Sequence, residues 1–90
     1  IFHGFLPKNK ASIAKVLKDL MKKKDYNLIF FESSKRIEST LQIMAGLEIK
    51  RNIKIMRELT KPFEEVMEID LKRIPKREIK GECVILIEKE

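Results

Sequence analysis

Charged and hydroxyl side chains directly follow two apolar stretches of the sequence. One such segment is Phe31-Glu32-Ser33-Ser34-Lys35-Arg36 (segment 31–36), and the other is Arg57-Glu58-Leu59-Thr60-Lys61 (segment 57–61). Carboxylates accept hydrogen bonds from ribose hydroxyls, whereas guanidinium and ammonium groups bind phosphates. The chemistry indicated is recognition of a ligand with sugar and phosphate groups, through Glu32 and Glu58 for the hydroxyls and Arg36, Arg57 and Lys61 for the phosphates.

Each of these side chains also has a structural interpretation, which is favoured when each is considered singly. Glu32 can pair with Arg36 or oppose the dipole of the following helix. Arg57 can form a fixed ion pair with Glu58 or Glu64. Two further polar stretches, residues 4–7 and 80–82, lie next to other strands, and the four together favour a binding site.

The residue inventory excludes several kinds of site. His3 is the only histidine and Cys83 the only cysteine, so no pair has the spacing of metal ligands. Three glycines in the whole chain cannot build a glycine-rich phosphate loop. We therefore predict no metal site, and the inventory identifies no catalytic residue.

Hydrophobic periodicity places the two segments at the ends of strands. Asn9 caps a helix of about residues 10–24, and a second helix from Ile37 ends either at a left-handed Gly46 or at about residue 49. Ser33 or Ser34 can cap that second helix. Strands are predicted at residues 2–5, 27–31, 53–56, 66–69 and 83–88, with one helical turn within residues 70–75.

Alternating strands and helices predict one α/β domain, residues 1–90, with a small mixed β-sheet flanked by helices. The unbroken apolar run at residues 27–31 predicts a strand buried on both faces. In an open α/β sheet, ligands bind beyond the carboxyl ends of parallel strands. Segments 31–36 and 57–61 are therefore expected to face the same crevice.

Composition bears on the compartment and the partners of the protein. The formal net charge is +6, which favours RNA through phosphate contacts, but charge alone fits a lysine-rich solvated surface, as in proteins from hot environments, somewhat better. The longest apolar run, Cys83 to Ile87, is far shorter than the ~20 residues of a membrane span. A single cysteine in an apolar run predicts a buried thiol, and we expect a cytoplasmic location.

Four stretches together resemble the carboxyl-terminal half of a bacterial ribosomal RNA methyltransferase. They are GFLPK (4–8), LIFFESSKRIESTL (28–41), RELTKPFEEV (57–66) and KGECVILIE (80–88). The family 2′-O-methylates a cytidine in small-subunit rRNA and lies within the tetrapyrrole methylase superfamily. Where the family usually has Tyr-Glu-Ser-Pro-His-Arg, this chain matches at Glu32, Ser33 and Arg36 only.

The resemblance implies S-adenosylmethionine held between two α/β lobes, of which this chain is the carboxyl-terminal one and the amino-terminal one is absent. It implies small-subunit rRNA as substrate, a homodimer at full length, and no activity for this lobe alone. The catalytic residues stay unknown: Glu58 and Lys61 are candidates for a general base in methyl transfer, and the absent lobe is the alternative source of that base. The site residues it implies are Glu32, Ser33, Leu59 and Thr60 for the cofactor, and Gly4, Phe5, Leu6, Pro7, Arg36, Arg57 and Lys61 for RNA. Two alternatives remain open, a basic RNA-binding module without catalysis and a relative that acts on tetrapyrroles.

Overall fold

A computed structural model describes residues 1–57, 65–75 and 82–90, and within them five strands and two helices. In this part of the chain, neither helix is long and apolar enough for a membrane crossing. The elements are β1 (Phe2–Phe5), α1 (Lys10–Met21), β2 (Leu28–Ser33), α2 (Ile37–Gly46), β3 (Ile53–Arg57), β4 (Glu65–Ile69) and β5 (Glu82–Ile87).

The strands form one mixed sheet with the order β1-β2-β5-β3-β4. Strand β1 pairs parallel with β2, whereas β5 pairs antiparallel with both β2 and β3. Strands β2 and β3 therefore run in the same direction, and β4 runs antiparallel to β3. We call the edge where β1, β2 and β3 end, and where β4 and β5 begin, the carboxyl edge. This architecture confirms the predicted small mixed α/β sheet.

The core lies on one face of the sheet only. Alternate residues of the three central strands are fully or almost fully buried, among them Phe30, Ile55 and Ile85. They belong to one cluster with the apolar stripes of both helices, so both helices cover the same face. The prediction that residues 27–31 are buried on both faces is wrong, because Ile29 and Phe31 point to the face without helices and are only half-buried.

Helix α1 begins as its sequence predicts but ends three residues early. The Asn9 side chain accepts hydrogen bonds from the amides of Ala11 and Ser12, at 2.8 and 3.2 Å. The helix ends at Met21 because the chain then turns toward the buried guanidinium of Arg51. That group binds the carbonyls of Lys23 (3.4 Å) and Tyr26, and its Nε donates to the carbonyl of Glu88 at 2.7 Å. Arg51 thereby ties the loop after α1 to the end of β5.

Residues 70–75 form a turn and not the predicted helical turn. The Asp70 carboxylate accepts from the amide of Lys72 at 2.9 Å, and the Asp70 carbonyl accepts from the amide of Arg73 at 2.9 Å. An aspartate side chain that bonds the backbone two residues on competes with a helix for the same amides.

The residue that closes α2 is Glu48 and not Gly46. Glu48 has the left-handed φ of 56°, and its amide donates to the carbonyl of Ala45 at 3.0 Å. The amide of Ile49 donates to the carbonyl of Met44 at 3.3 Å. These two bonds form a Schellman motif, in which glycine is the preferred left-handed residue.

Replacement of Glu48 by glycine is expected to raise the free energy of unfolding by about 0.5–1 kcal/mol, because the left-handed conformation strains any residue with a Cβ. Urea denaturation monitored by circular dichroism measures this. Glu48→Ala is the control and should give no gain, since alanine keeps the strain. An equal gain in both variants would mean that removal of the carboxylate, and not the backbone conformation, is responsible.

Candidate functional site

Four polar side chains form a row across the sheet, at the carboxyl edge or one residue from it. Glu32 of β2 lies opposite Cys83 of β5, Cys83 lies opposite Arg57 of β3, and Arg57 lies opposite Glu65 of β4. Directly opposed residues project to the same face of a sheet, so all four point toward the helices. Glu32 and Arg57 are two strands apart, which is about 10 Å between backbones. The ends of segments 31–36 and 57–61 nearest the sheet therefore share one edge.

Glu32 is the most buried acidic side chain of the described residues, at 3% exposure. Its Oε1 accepts hydrogen bonds from the Ser33 amide at 2.9 Å and from Arg36 Nε at 3.1 Å. Its Oε2 accepts from the Thr40 hydroxyl at 2.7 Å. Three of about four acceptor positions of the carboxylate are thus filled from within the protein. Glu32 fixes the turn after β2 against α2.

Neither serine of segment 31–36 caps α2, contrary to the sequence prediction. The N-cap position is Arg36, and no side chain forms a cap hydrogen bond there. The turn is instead closed through the backbone, where the Arg36 amide donates to the Ser33 carbonyl at 3.0 Å. Because the serine hydroxyls are not used as caps, they remain available to a ligand at the carboxyl edge.

Arg57 forms an ion pair across strands β3 and β4. Its Nη2 donates to Glu65 Oε2 at 2.8 Å, and both side chains are partly exposed. The sequence suggested Glu58 or Glu64 as partners, and both lie outside the described residues. Glu65 was missed because the pair depends on the register of β3 and β4, which no local sequence pattern reveals.

Cys83 lies between Glu32 and Arg57 and is fully buried. Burial raises the pKa of the thiol and is the largest effect; the nearby Arg57 lowers the pKa, and Glu32 raises it. The thiol therefore stays protonated at neutral pH, and the prediction of a buried cysteine is confirmed.

Modification of Cys83 by a thiol reagent such as dithionitrobenzoate is expected only when the protein unfolds, because the nucleophile is the thiolate and the sulfur is inaccessible. The rate of modification in native buffer should be orders of magnitude below the rate in urea-unfolded protein at the same pH and reagent concentration. A native rate close to that of the unfolded protein would contradict the buried position.

Residues 4–7, which we call the entrance loop, begin at the end of β1, beside β2. Gly4 has a left-handed φ of 85° where the register of β1 and β2 shifts. Phe5 is 60% exposed, and its ring lies 5.4 Å from that of Phe31, whereas Leu6 is buried in the core. Gly4 and Phe5 are therefore accessible to solvent at the carboxyl edge, and Leu6 holds the loop by packing into the core.

The remaining residues of the predicted site lie partly outside the described chain. Glu58, Leu59, Thr60 and Lys61 are not described, nor are Lys80 and Gly81. Thr40 was missed by the sequence reasoning, although a threonine among the inward-facing residues of α2 is a signal for a buried polar contact. In the described ranges, no group of three histidine, cysteine or acidic side chains can hold a metal ion.

The described groups at the carboxyl edge fit part of S-adenosylmethionine. Its ribose diol and amino-acid carboxylate need hydroxyl, amide or guanidinium partners. Ser33 and Ser34 supply hydroxyls to such a cofactor, whereas Arg36, whose side chain is 37% exposed, offers its guanidinium to a phosphate group. The carboxylate of Glu32 is buried and already engaged, so it fits a role in holding these groups better than direct contact.

Comparison with known proteins relates the chain to one enzyme. No protein-family model matches it. Ribosomal RNA small subunit methyltransferase I of Bacillus subtilis is 34% identical over 97% of this chain, and that of Rickettsia prowazekii is 36% identical over 97%. The chain is homologous to a segment of this methyltransferase. It spans 31% and 32% of the lengths of these two relatives.

The fold comparison gives a second methyltransferase. The structure matches the methyltransferase CobJ with a TM-score of 0.68 over 99% of this chain and 40% of CobJ, at 18% sequence identity. At that identity the likeness concerns the fold alone. The small mixed α/β fold of this chain is thus shared with part of CobJ.

Proposed function

We propose that this chain is the carboxyl-terminal lobe of an S-adenosylmethionine-dependent enzyme that 2′-O-methylates a cytidine ribose in small-subunit rRNA. The observation that carries the proposal is the similarity to ribosomal RNA small subunit methyltransferase I over 97% of the chain. The polar row at the carboxyl edge supports it, because open α/β sheets bind ligands at that edge.

The proposal assigns roles to both described and undescribed residues. Ser33 contacts the cofactor, and Glu32 positions Ser33 and Arg36 through its hydrogen bonds. Leu59 and Thr60 lie against the adenosine. The RNA contacts are Gly4, Phe5, Pro7, Arg36, Arg57 and Lys61, with Leu6 as the buried anchor of the entrance loop.

The protein's contribution to the reaction is mainly positioning. S-adenosylmethionine supplies, when bound, a methyl group made electrophilic by its sulfonium. Arg36 and Arg57 bind phosphates and so hold the ribose 2′-hydroxyl in line with that methyl group. Such orientation is worth up to about 7–11 kcal/mol in well-aligned systems. Glu58 or Lys61 takes the hydroxyl proton only if its pKa is shifted toward neutrality.

The wider organisation is also part of the proposal. An amino-terminal α/β lobe completes the cofactor cleft, the full-length enzyme is a cytoplasmic homodimer, and this lobe alone is inactive. The relatives' greater length, of which the chain spans 31% and 32%, supports a larger functional unit.

Methyl transfer to small ribosomal subunits tests the proposed function. Full-length protein, labelled S-adenosylmethionine and undermethylated small subunits should yield label in one nucleoside, 2′-O-methylcytidine, on digestion of the rRNA. Label on a base, or none, would contradict the proposal. RNA binding without any methyl transfer would instead favour the basic RNA-binding module, which the charge on α1 makes the second candidate.

A further inference from the structure

The positive charge of the chain is concentrated around α1. Residues 8–25 contain seven lysines and two aspartates, which is +5 of the formal net charge of +6. All seven lysines are exposed. The rest of the sequence has a formal charge close to zero. The excess of positive charge therefore lies on α1 and at its two ends, and we call these exposed residues the α1 lysine surface: Lys8, Lys10, Lys15, Lys18, Lys22, Lys23 and Lys24.

Helix geometry aligns three of these lysines. Lys15, Lys18 and Lys22 follow the i, i+3, i+7 pattern and lie opposite the buried stripe of α1. They span about 10 Å along the axis, a distance covered by about three phosphates of one strand of a duplex. Within the described residues, ion pairing reaches only Lys22 of the seven lysines, at 3.7 Å from Asp19. Lys15 and Lys18 therefore keep their charge for an external partner.

The α1 lysine surface continues to the candidate site. A groove of about 450 Å³ lies between the two helices, lined by Lys10, Lys35, Glu38, Ser39, Gln42 and Ile43. Lys35 is adjacent in sequence to Arg36, whose guanidinium binds Glu32 at the carboxyl edge. A polyanion lying along α1 can thus reach the site through this groove, where Glu38 is the one acidic residue among the described residues of the lining.

We propose that the α1 lysine surface binds the phosphate backbone of the substrate RNA outside the catalytic cleft and guides it to the carboxyl edge. This inference rests on the proposed function, since it takes the partner to be RNA. Lysines act as flexible point charges and suit contacts to phosphates more than the reading of bases, so the binding is independent of sequence.

The structure favours RNA over an anionic membrane as the partner. A helix that lies on a membrane inserts an apolar face into the lipid. The apolar face of α1 is already buried against the sheet through Ile13, Leu17 and Leu20. Only its charged face remains for a partner, and charge without insertion is what phosphate backbone binding requires.

Salt-dependent RNA binding by full-length Lys15→Gln/Lys18→Gln protein tests the proposal. The probe is a fluorescent 20-nucleotide poly(U), and its Kd is measured by anisotropy across a series of KCl concentrations. Loss of two phosphate contacts should lower the slope of log Kd against log salt by about 1.4 and weaken binding roughly tenfold at low salt. The control is Lys72→Gln/Lys89→Gln, which removes two exposed lysines elsewhere and should leave the slope unchanged.

Several outcomes would overturn the proposal. Equal slopes in both double variants would show that α1 makes no specific contribution. Loss of binding to phosphatidylserine vesicles with unchanged poly(U) binding would make a membrane the partner. Binding of poly(U) needs no methyl transfer, so this measurement fails or succeeds separately from the methylation assay. In that assay the Lys15→Gln/Lys18→Gln protein should show a raised KM for the small subunit and an unchanged kcat.

Discussion

Replacement of Glu32 by alanine is expected to lower the free energy of unfolding by about 3 kcal/mol. The change leaves the buried Thr40 hydroxyl and the Ser33 amide without their acceptor, and unsatisfied buried groups cost about 1–3 kcal/mol each. The Arg36 guanidinium adds little to this loss, since it is partly exposed and can be solvated. Urea denaturation of the full-length protein measures the effect.

Two companion variants separate the contributions at Glu32. Glu32→Gln keeps an acceptor oxygen for the Thr40 hydroxyl. Its free energy of unfolding should fall by about half as much as that of Glu32→Ala, because the hydrogen bonds lose the charge of their acceptor but are not removed. Thr40→Val combined with Glu32→Ala should cost less than the two single changes added together, since the pair shares one hydrogen bond. A loss below about 1 kcal/mol for Glu32→Ala would mean that water replaces the carboxylate and that it is not needed to hold the turn.

Replacement of Arg57 by alanine in the full-length protein is expected to reduce methyl transfer on the order of 10²-fold, as when a charged group that stabilises a transition state is removed. Arg57 lies on the last residue of β3, at the carboxyl edge, with its side chain partly exposed. Transfer of label to rRNA under single-turnover conditions measures the effect. The unfolding midpoint should change little, because a partly exposed ion pair contributes about 0–1 kcal/mol.

Glu65→Gln is the matched control for Arg57→Ala. It disrupts the same ion pair but keeps the guanidinium, so a role of Arg57 toward RNA predicts near-normal activity for Glu65→Gln. Arg57→Lys should recover part of the activity if charge alone is needed. Equal losses of activity and stability in Arg57→Ala and Glu65→Gln would instead identify the pair as a structural bridge between β3 and β4.

Local chemistry in the sequence predicted most of the elements. The alternation of strands and helices predicted the mixed sheet, and Asn9 correctly located the start of α1. The pairing of Glu32 with Arg36 follows from their i, i+4 spacing and is present at 3.1 Å. These successes depend on residues close together in the chain, where spacing fixes geometry.

Contacts between distant residues were not predictable. The roles of Thr40, Glu65 and Arg51 depend on which strands are neighbours and in what register, and strand order was not evident from the sequence. The burial of β2 on one face was missed because an apolar run looks the same whether a second layer of helices is present or not. In the candidate site, the position of Glu32 and Arg57 at one edge could be predicted only by assuming that β2 and β3 run in the same direction.

The position of β5 at the centre of the sheet has a consequence for biosynthesis. Among the five described strands β5 comes last in sequence, yet it joins β2 to β3. A nascent chain on the ribosome therefore holds two separate strand pairs, the parallel β1–β2 pair and the antiparallel β3–β4 pair, with unpaired inner edges until residues 82–87 emerge. Pairings of this sequence separation form slowly and expose strand edges to other chains meanwhile. Recovery of native protein from translation should thus depend on chaperone supply more than for a domain whose neighbouring strands are consecutive in sequence.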